Sequence, residues 1–157
     1  MELHEWLMFL HILAAIVWVG AVILMNAMMA RASRAPDRIA VHRLARDLEW
    51  AGPRLIGPSA AVVIGLGIWL TLLEKDLAFS QLWIWVSLVL VAVSMVQNGI
   101  YSAPEGKRIS RLADERGAED REVRHRLNRL LWLARLDILI LVAVLWLMVF
   151  KPGGPAD

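Results

Sequence analysis

Four apolar runs, residues 6–28, 56–74, 82–102 and 131–150, alternate with polar and charged stretches along the chain. Each approaches the roughly 20 apolar residues that a helix needs to cross a bilayer. A segment in lipid must satisfy its own backbone polar groups, so each run predicts a transmembrane helix. The expected fold is an all-α membrane protein, an antiparallel four-helix transmembrane bundle forming one domain over 1–157.

Polar residues inside these runs carry the candidate chemistry. In the first run Met1, His4, Met8, His11, Ala15, Trp18, Val22 and Met25 recur at steps of three and four. That spacing puts them on one helix face. His11 is the informative member, because an ionisable group within a span points to function. It would lie only about 7–8 Å into the hydrocarbon, at 1.5 Å rise per residue. The same spacing is also the ordinary seam of a packed helix, in which Met, Ala and Val are core.

The second run repeats small residues, Gly57, Ala61 and Gly65, at a spacing that lets another backbone approach closely. The third carries Ser87, Ser94, Gln97, Asn98 and Tyr101. The fourth contains Asp137, which must be paired or protonated, since an unpaired carboxylate there costs about 2.5–3.5 kcal/mol. Arg54 is its candidate ionic partner. Asn26, Gln97, Asn98 and Tyr101 are candidate hydrogen-bond donors. Asp137, Arg54, Asn26 and Asn98 are therefore expected to form a structural polar network, with a proton or substrate role as the alternative.

Charge is confined to particular connections. The first loop holds Arg31, Arg34, Arg38, Arg43, Arg46 and Arg54, and the second, from Glu105 to Arg129, is also basic on balance. The positive-inside rule puts both in the cytoplasm and both termini outside. Trp6, Trp69, Trp83, Trp85 and Trp146 then fall near the outer interface, Trp50 and Trp132 near the inner one, and Trp18 alone mid-membrane. After Ala35-Pro36, the run Asp37–Trp50 places Val41, Leu44, Ala45 and Leu48 on one side. This predicts a short amphipathic helix lying on the membrane surface, broken by Gly52-Pro53. Glu74-Lys75-Asp76 makes a short turn, so spans two and three should be antiparallel neighbours. The second loop repeats the first's Ala-Pro and its Arg-Ile…Arg-Leu-Ala pattern, hinting at a duplicated hairpin. Gly117 separates two helical extensions, and His42 and His125 read as solvated surface residues.

Composition narrows the function classes. With 59% hydrophobic residues and a net charge of +2 concentrated in loops, nothing points to nucleic acid. The absence of Cys removes disulfides, thiolate metal sites and iron–sulfur clusters. Any metal or cofactor must rest on His, Met, Asp or Glu. Glu2 and Glu5 make the first segment acidic and no A-x-A-like site follows it, so it reads as a retained helix rather than a signal peptide.

Leu10-His11-Ile12, followed by Trp18 and Gly20, resembles the first span of HemJ-type protoporphyrinogen oxidases. It also resembles CopD-type copper-resistance proteins and a related bacterial family of integral membrane proteins with no assigned function. The closing Phe150-Lys151-Pro152 is similar to the Lys-Pro terminus of the HemJ type. The resemblance implies a multi-pass protein of the bacterial plasma membrane that binds haem b, with His11 as a functional residue. The HemJ third-span Lys falls on Ser87 here, and the HemJ Asn-Glu pair before the fourth span on Asn128-Arg129. These departures argue against protoporphyrinogen oxidase activity, and no catalytic residue is assigned.

Two function classes follow. In the first, His11 binds haem b, or copper as a variant, with His4, Met8, Trp18 or a second protomer completing the site; thioether and imidazole donors suit Cu(I). In the second, the protein is a non-catalytic accessory subunit of a larger membrane complex, and His11 is a hydrogen-bonded interior histidine. A transporter has only Asp137 to recommend it. The bilayer is the one partner that the sequence requires.

Overall fold

A computed structural model describes residues 3–34, 38–73 and 81–152. The described residues form α1 (Leu3–Arg34), α2 (Arg38–Ala51), a π-helical turn (Gly52–Ile56) and α3 (Gly57–Leu73). There follow α4 (Leu82–Val96), a second π-helical segment (Gln97–Ser102), α5 (Ala103–Arg116) and α6 (Arg121–Phe150). Four continuous helices long and apolar enough to cross a membrane result, since Ile39–Leu73 and Leu82–Arg116 each run unbroken. The protein is an all-α, four-helix membrane bundle. Met1, Ala35-Pro36-Asp37 and the Glu74-Lys75-Asp76 turn lie outside the described residues.

Gly52-Pro53 does not break its helix, contrary to the sequence-based expectation. A proline ring collides with the carbonyl four residues back in an α-helix. For Pro58 that carbonyl belongs to Arg54 and for Pro104 to Ile100, and both lie in the π-helical segments. Widening to π geometry moves these carbonyls aside, so the chain passes Pro58 and Pro104 without stopping; Pro53 itself sits in the first turn of the π-helical segment. Gly117 does stop its helix: at φ +91° it caps α5, a conformation that a Cβ disfavours. Asp120 then starts α6 by accepting from the Glu122 N–H at 2.8 Å.

Because the helices continue, α2 is not a surface-lying helix. Its apolar side is the expected one, but the partner is protein rather than lipid. Val41 and Leu44 join Ile109 and Ala113 of α5, Val123 and Leu127 of α6, and Met29 and Ala32 of α1 in one buried cluster. At Gly106 a Cβ would meet Leu48 at 3.3 Å, so glycine lets α2 and α5 approach closely. The Arg-Ile…Arg-Leu-Ala repeat does not carry over into equivalent packing: Ile39 is 71% exposed and Ile109 2%. We call this half, with its extensions, the basic end.

A second cluster fills the membrane layer: Trp18 and Val22 of α1, Ala60 and Val63 of α3, Val91 of α4, and Leu141 and Val144 of α6. There α1 packs on α3 and α6, and α4 packs on α6. By contrast α3 and α4 barely touch, although they are consecutive spans. Trp18, 3% exposed, shares its cluster with both Val63 of α3 and Val91 of α4. The bundle is closed on this side only at the basic end, where α2 meets α5.

The small-residue stripe also needs correction. Ala61 and Gly65 face outward, and nothing lies within 4 Å of a Cβ built on Gly65. The face of α3 that packs is Ala60, Val63 and Gly67, one position round the helix.

Candidate functional site

Toward the end opposite the basic one, the inner face of α1 comprises Leu7, His11, Ala14, Ala15, Trp18, Ala21 and Val22. These are the three- and four-step positions of the stripe, with Leu7 taking the place of Met8. Met8 is 43% exposed and turns outward. His4 is half-buried one turn beyond Leu7. His11 lies against α3, where a Cβ on Gly67 would come within 3.2 Å of its Cε1 and 3.7 Å of its Nδ1. Glycine is thus what admits the imidazole at this level. The Val63 carbonyl lies close to the ring but outside strict hydrogen-bond geometry. Nδ1 itself is buried and makes no hydrogen bond.

Ser87 of α4 belongs to the same layer. It lies one turn beyond Val91, as Gly67 lies one turn beyond Val63, about 6 Å in each case. Ser87 is buried, and its hydroxyl also has no partner. The layer is floored by Trp18 and bordered on the far side by Leu7 and Trp83, whose indole N–H donates to Gln81 at 2.9 Å. Buried polar atoms are normally hydrogen-bonded. Two orphans in one layer, a ring nitrogen and a hydroxyl, make this the candidate site.

A second polar group lies nearer the basic end. Asp137 is fully buried, and Asn98 donates to its Oδ2 at 2.8 Å. Asn98 also donates to the Ser94 carbonyl at 2.9 Å, and Gln97 donates to the Leu133 carbonyl at 2.7 Å. Asn98 reaches across because it sits in the π-helical segment, where the helix is locally widened. The Ser94 hydroxyl lies close to the carboxyl but outside hydrogen-bond geometry, and Asp137 Oδ1 has no partner. The Asn26 amide nitrogen is also buried and unpaired.

Arg54 is not part of this network, which corrects the expected ion pair. It is exposed, with its guanidinium 5.9 Å from the centre of the Trp50 ring. Its place in a π-helical turn at the membrane boundary gives it an aromatic partner four residues back rather than a carboxylate on α6. Tyr101 likewise faces Arg129, at 5.3 Å, instead of Asp137.

Two interactions in the extensions carried little sequence signal. His42 bridges α2 to α5, with Nε2 2.7 Å from Asp114 Oδ1 and Nδ1 2.8 Å from the Ser110 hydroxyl. The Ser110/Asp114 spacing puts both on one face of α5, but nothing in the sequence pairs them with a residue so distant. Glu105, buried, accepts from Arg126 at 2.8 Å, and Arg126 also donates to Glu122. These bonds, the one to Glu105 first, hold the Arg126 guanidinium above its ordinary pKa.

Among the described residues no group of three or more His, Cys, Asp or Glu could hold a metal ion. A family model described as "predicted integral membrane protein (DUF2269)" matches residues 5–152. No curated protein and no solved structure matches the chain.

Proposed function

The chain belongs to that family of integral membrane proteins, and from this premise we propose that it binds haem b through His11. The observation that carries the reading is a half-buried imidazole within a span, its Nδ1 edge packed on Gly67 and its Nε2 left to ligate, in a layer shared with the orphaned Ser87 hydroxyl. Leaving a buried polar atom without a partner costs about 1–3 kcal/mol, and a ligand that bonds to it would recover that cost. The first-span resemblance to the HemJ type supports the same residue.

The donor set favours haem over copper. Haem asks the chain for one axial imidazole, whereas Cu(I) asks for a shell of soft donors. Here Met8 turns outward and His4 lies about two helical turns away from His11. When bound, haem would supply one-electron chemistry. The chain's own residues do the rest. Gly67 admits the imidazole, Trp18 excludes water below it, and Ser87 offers a hydroxyl to a polar edge of the ligand. The α3–α4 side is where a planar apolar group enters without prising packed helices apart. With Ser87 where the HemJ type has Lys, the role is haem handling or electron transfer rather than protoporphyrinogen oxidation. The loop charges support a multi-pass plasma-membrane protein with both termini on the non-cytoplasmic side.

A second reading, a non-catalytic subunit of a larger membrane complex or a homo-oligomer, is favoured by the outward-facing small residues Ala61 and Gly65. One experiment separates the two. Protein expressed with ample haem and copper is purified in detergent, and its absorption spectrum and metal content are measured. The haem reading expects a Soret band that His11→Ala abolishes and that His42→Ala and His125→Ala leave intact. A colourless, metal-free wild type would replace it with the subunit reading.

A further inference from the structure

Three arginines at the basic end lie over aromatic rings: Arg54 over Trp50, Arg129 over Tyr101, and Arg135 over Trp132, at 5.9, 5.3 and 5.4 Å from the ring centres. The three pairs draw on three long helices, with Arg129 and Arg135 both on α6, six residues or about 9 Å apart along its axis. Tyr101, Leu48 and Ala134 all pack against the basic-end cluster, and Trp50 and Trp132 are each two residues from Leu48 and Ala134. In the sequence all three pairs fall where the apolar runs give way to the charged extensions. Arg31 and Arg34, exposed at the end of α1, complete the circuit.

The acids nearby are already spent. Glu49 pairs with Lys107 at 2.6 Å, and Glu105 with Arg126. No carboxylate among the described residues lies within salt-bridge distance of Arg54, Arg129 or Arg135. A guanidinium held near a ring by its charge keeps N–H donors free, and the planar fork can grip a phosphate with two parallel bonds. Three guanidinium groups without a carboxylate partner, near the ends of the apolar spans, are complementary to anionic phosphodiesters in a surrounding leaflet.

We propose that this belt is a binding surface for anionic phospholipids, with Arg54, Arg129 and Arg135 each holding a headgroup phosphate and the aromatic rings holding the guanidinium groups in place. It is independent of whether His11 binds haem. Each arginine contributes about fivefold to the preference for an anionic over a zwitterionic lipid.

The test uses the full chain reconstituted in phosphatidylcholine vesicles. Quenching of tryptophan fluorescence by brominated phosphatidylglycerol is compared with that by brominated phosphatidylcholine. Wild type should bind phosphatidylglycerol preferentially, and Arg54→Gln/Arg129→Gln/Arg135→Gln should lose the preference. Arg108→Gln/Arg111→Gln, on the projecting α5, should keep it. If the triple variant does not fold, each single glutamine variant should show its own loss of about fivefold. Equal binding of the two lipids to wild type would overturn the proposal. So would a preference that survives the glutamine substitutions, or one that inorganic phosphate abolishes, which would mark a site for a free anion. A triple Arg→Lys variant with the full preference would overturn the role of the guanidinium fork.

Discussion

Removing Asn98 should harm this protein more than removing the aspartate it holds. Asn98 is the one group in hydrogen-bond geometry with Asp137, at 2.8 Å, and it donates as well to the Ser94 carbonyl. In Asp137→Ala the amide keeps that second bond, so the loss is a small cavity and one interhelical bond. Such bonds in membrane proteins are worth about 0.6 kcal/mol on average and about 1.7 at most. In Asn98→Ala the carboxyl group stays fully buried with neither oxygen in a hydrogen bond. That adds about 1–3 kcal/mol for an orphaned polar group, for a total of about 2–4. The Ser94 hydroxyl is close enough to turn toward the vacated oxygen, which places the expected loss near the lower end, about 2 kcal/mol. Unfolding in mixed micelles, followed by circular dichroism, would measure Asn98→Ala, Asp137→Ala and the double variant. The double variant should resemble Asp137→Ala alone, because the orphaned group is gone. Additive losses, or a larger loss for Asp137→Ala, would refute the idea that Asn98 satisfies this carboxyl.

Other outcomes follow from the same geometry. Gly67→Leu should displace the His11 ring, since even a Cβ at 67 comes within 3.2 Å of it; Gly65→Leu, with nothing within 4 Å, should be tolerated. Near-ultraviolet circular dichroism, and the Soret band if haem is bound, should change only in the first. Arg126→Ala should lower the thermal midpoint in detergent more than Arg124→Ala does, because it strips the buried Glu105 of its closest cation. A phosphatase fused after residue 157 should be active and a fluorescent protein dark, as the loop charges require; the reverse would invert the topology.

The spans and the inward face of α1 were legible because lipid leaves a chain few choices. Backbone satisfaction forces helices, and a polar stripe at three- and four-residue steps must face protein. Hence His11, Ala15, Trp18, Val22 and Met25 face the bundle, while the stripe's Met8 lies on its margin and turns out. The extensions were less legible for two reasons. Gly-Pro pairs signal a break, and only the three-dimensional path shows a π-helical turn absorbing each proline. An amphipathic segment declares an apolar face but not its partner, so α2 could be assigned to lipid when it packs on α5. Arg54 was matched to Asp137 by charge and depth, although its nearest aromatic neighbour was already four residues away in the sequence. The His42 bridge links positions 68 and 72 residues apart, and periodicity says nothing about such pairs.

The two π-helical turns fall where α2 becomes α3 and where α4 becomes α5, at the root of the projecting pair, while α1 and α6 pass the same region as unbroken α-helices. That arrangement resembles a wrist. The projecting pair is joined to the membrane layer by two wide, poorly wound segments, and two stiff rods run alongside. A torque on the projection twists the wide segments first. Asn98 lies inside one of them and Asp137 on a rod, so their 2.8 Å contact spans the joint between the turning part and the fixed part. With the Gln97 bond to the Leu133 carbonyl, it is one of two amide links that tie this wide segment to α6.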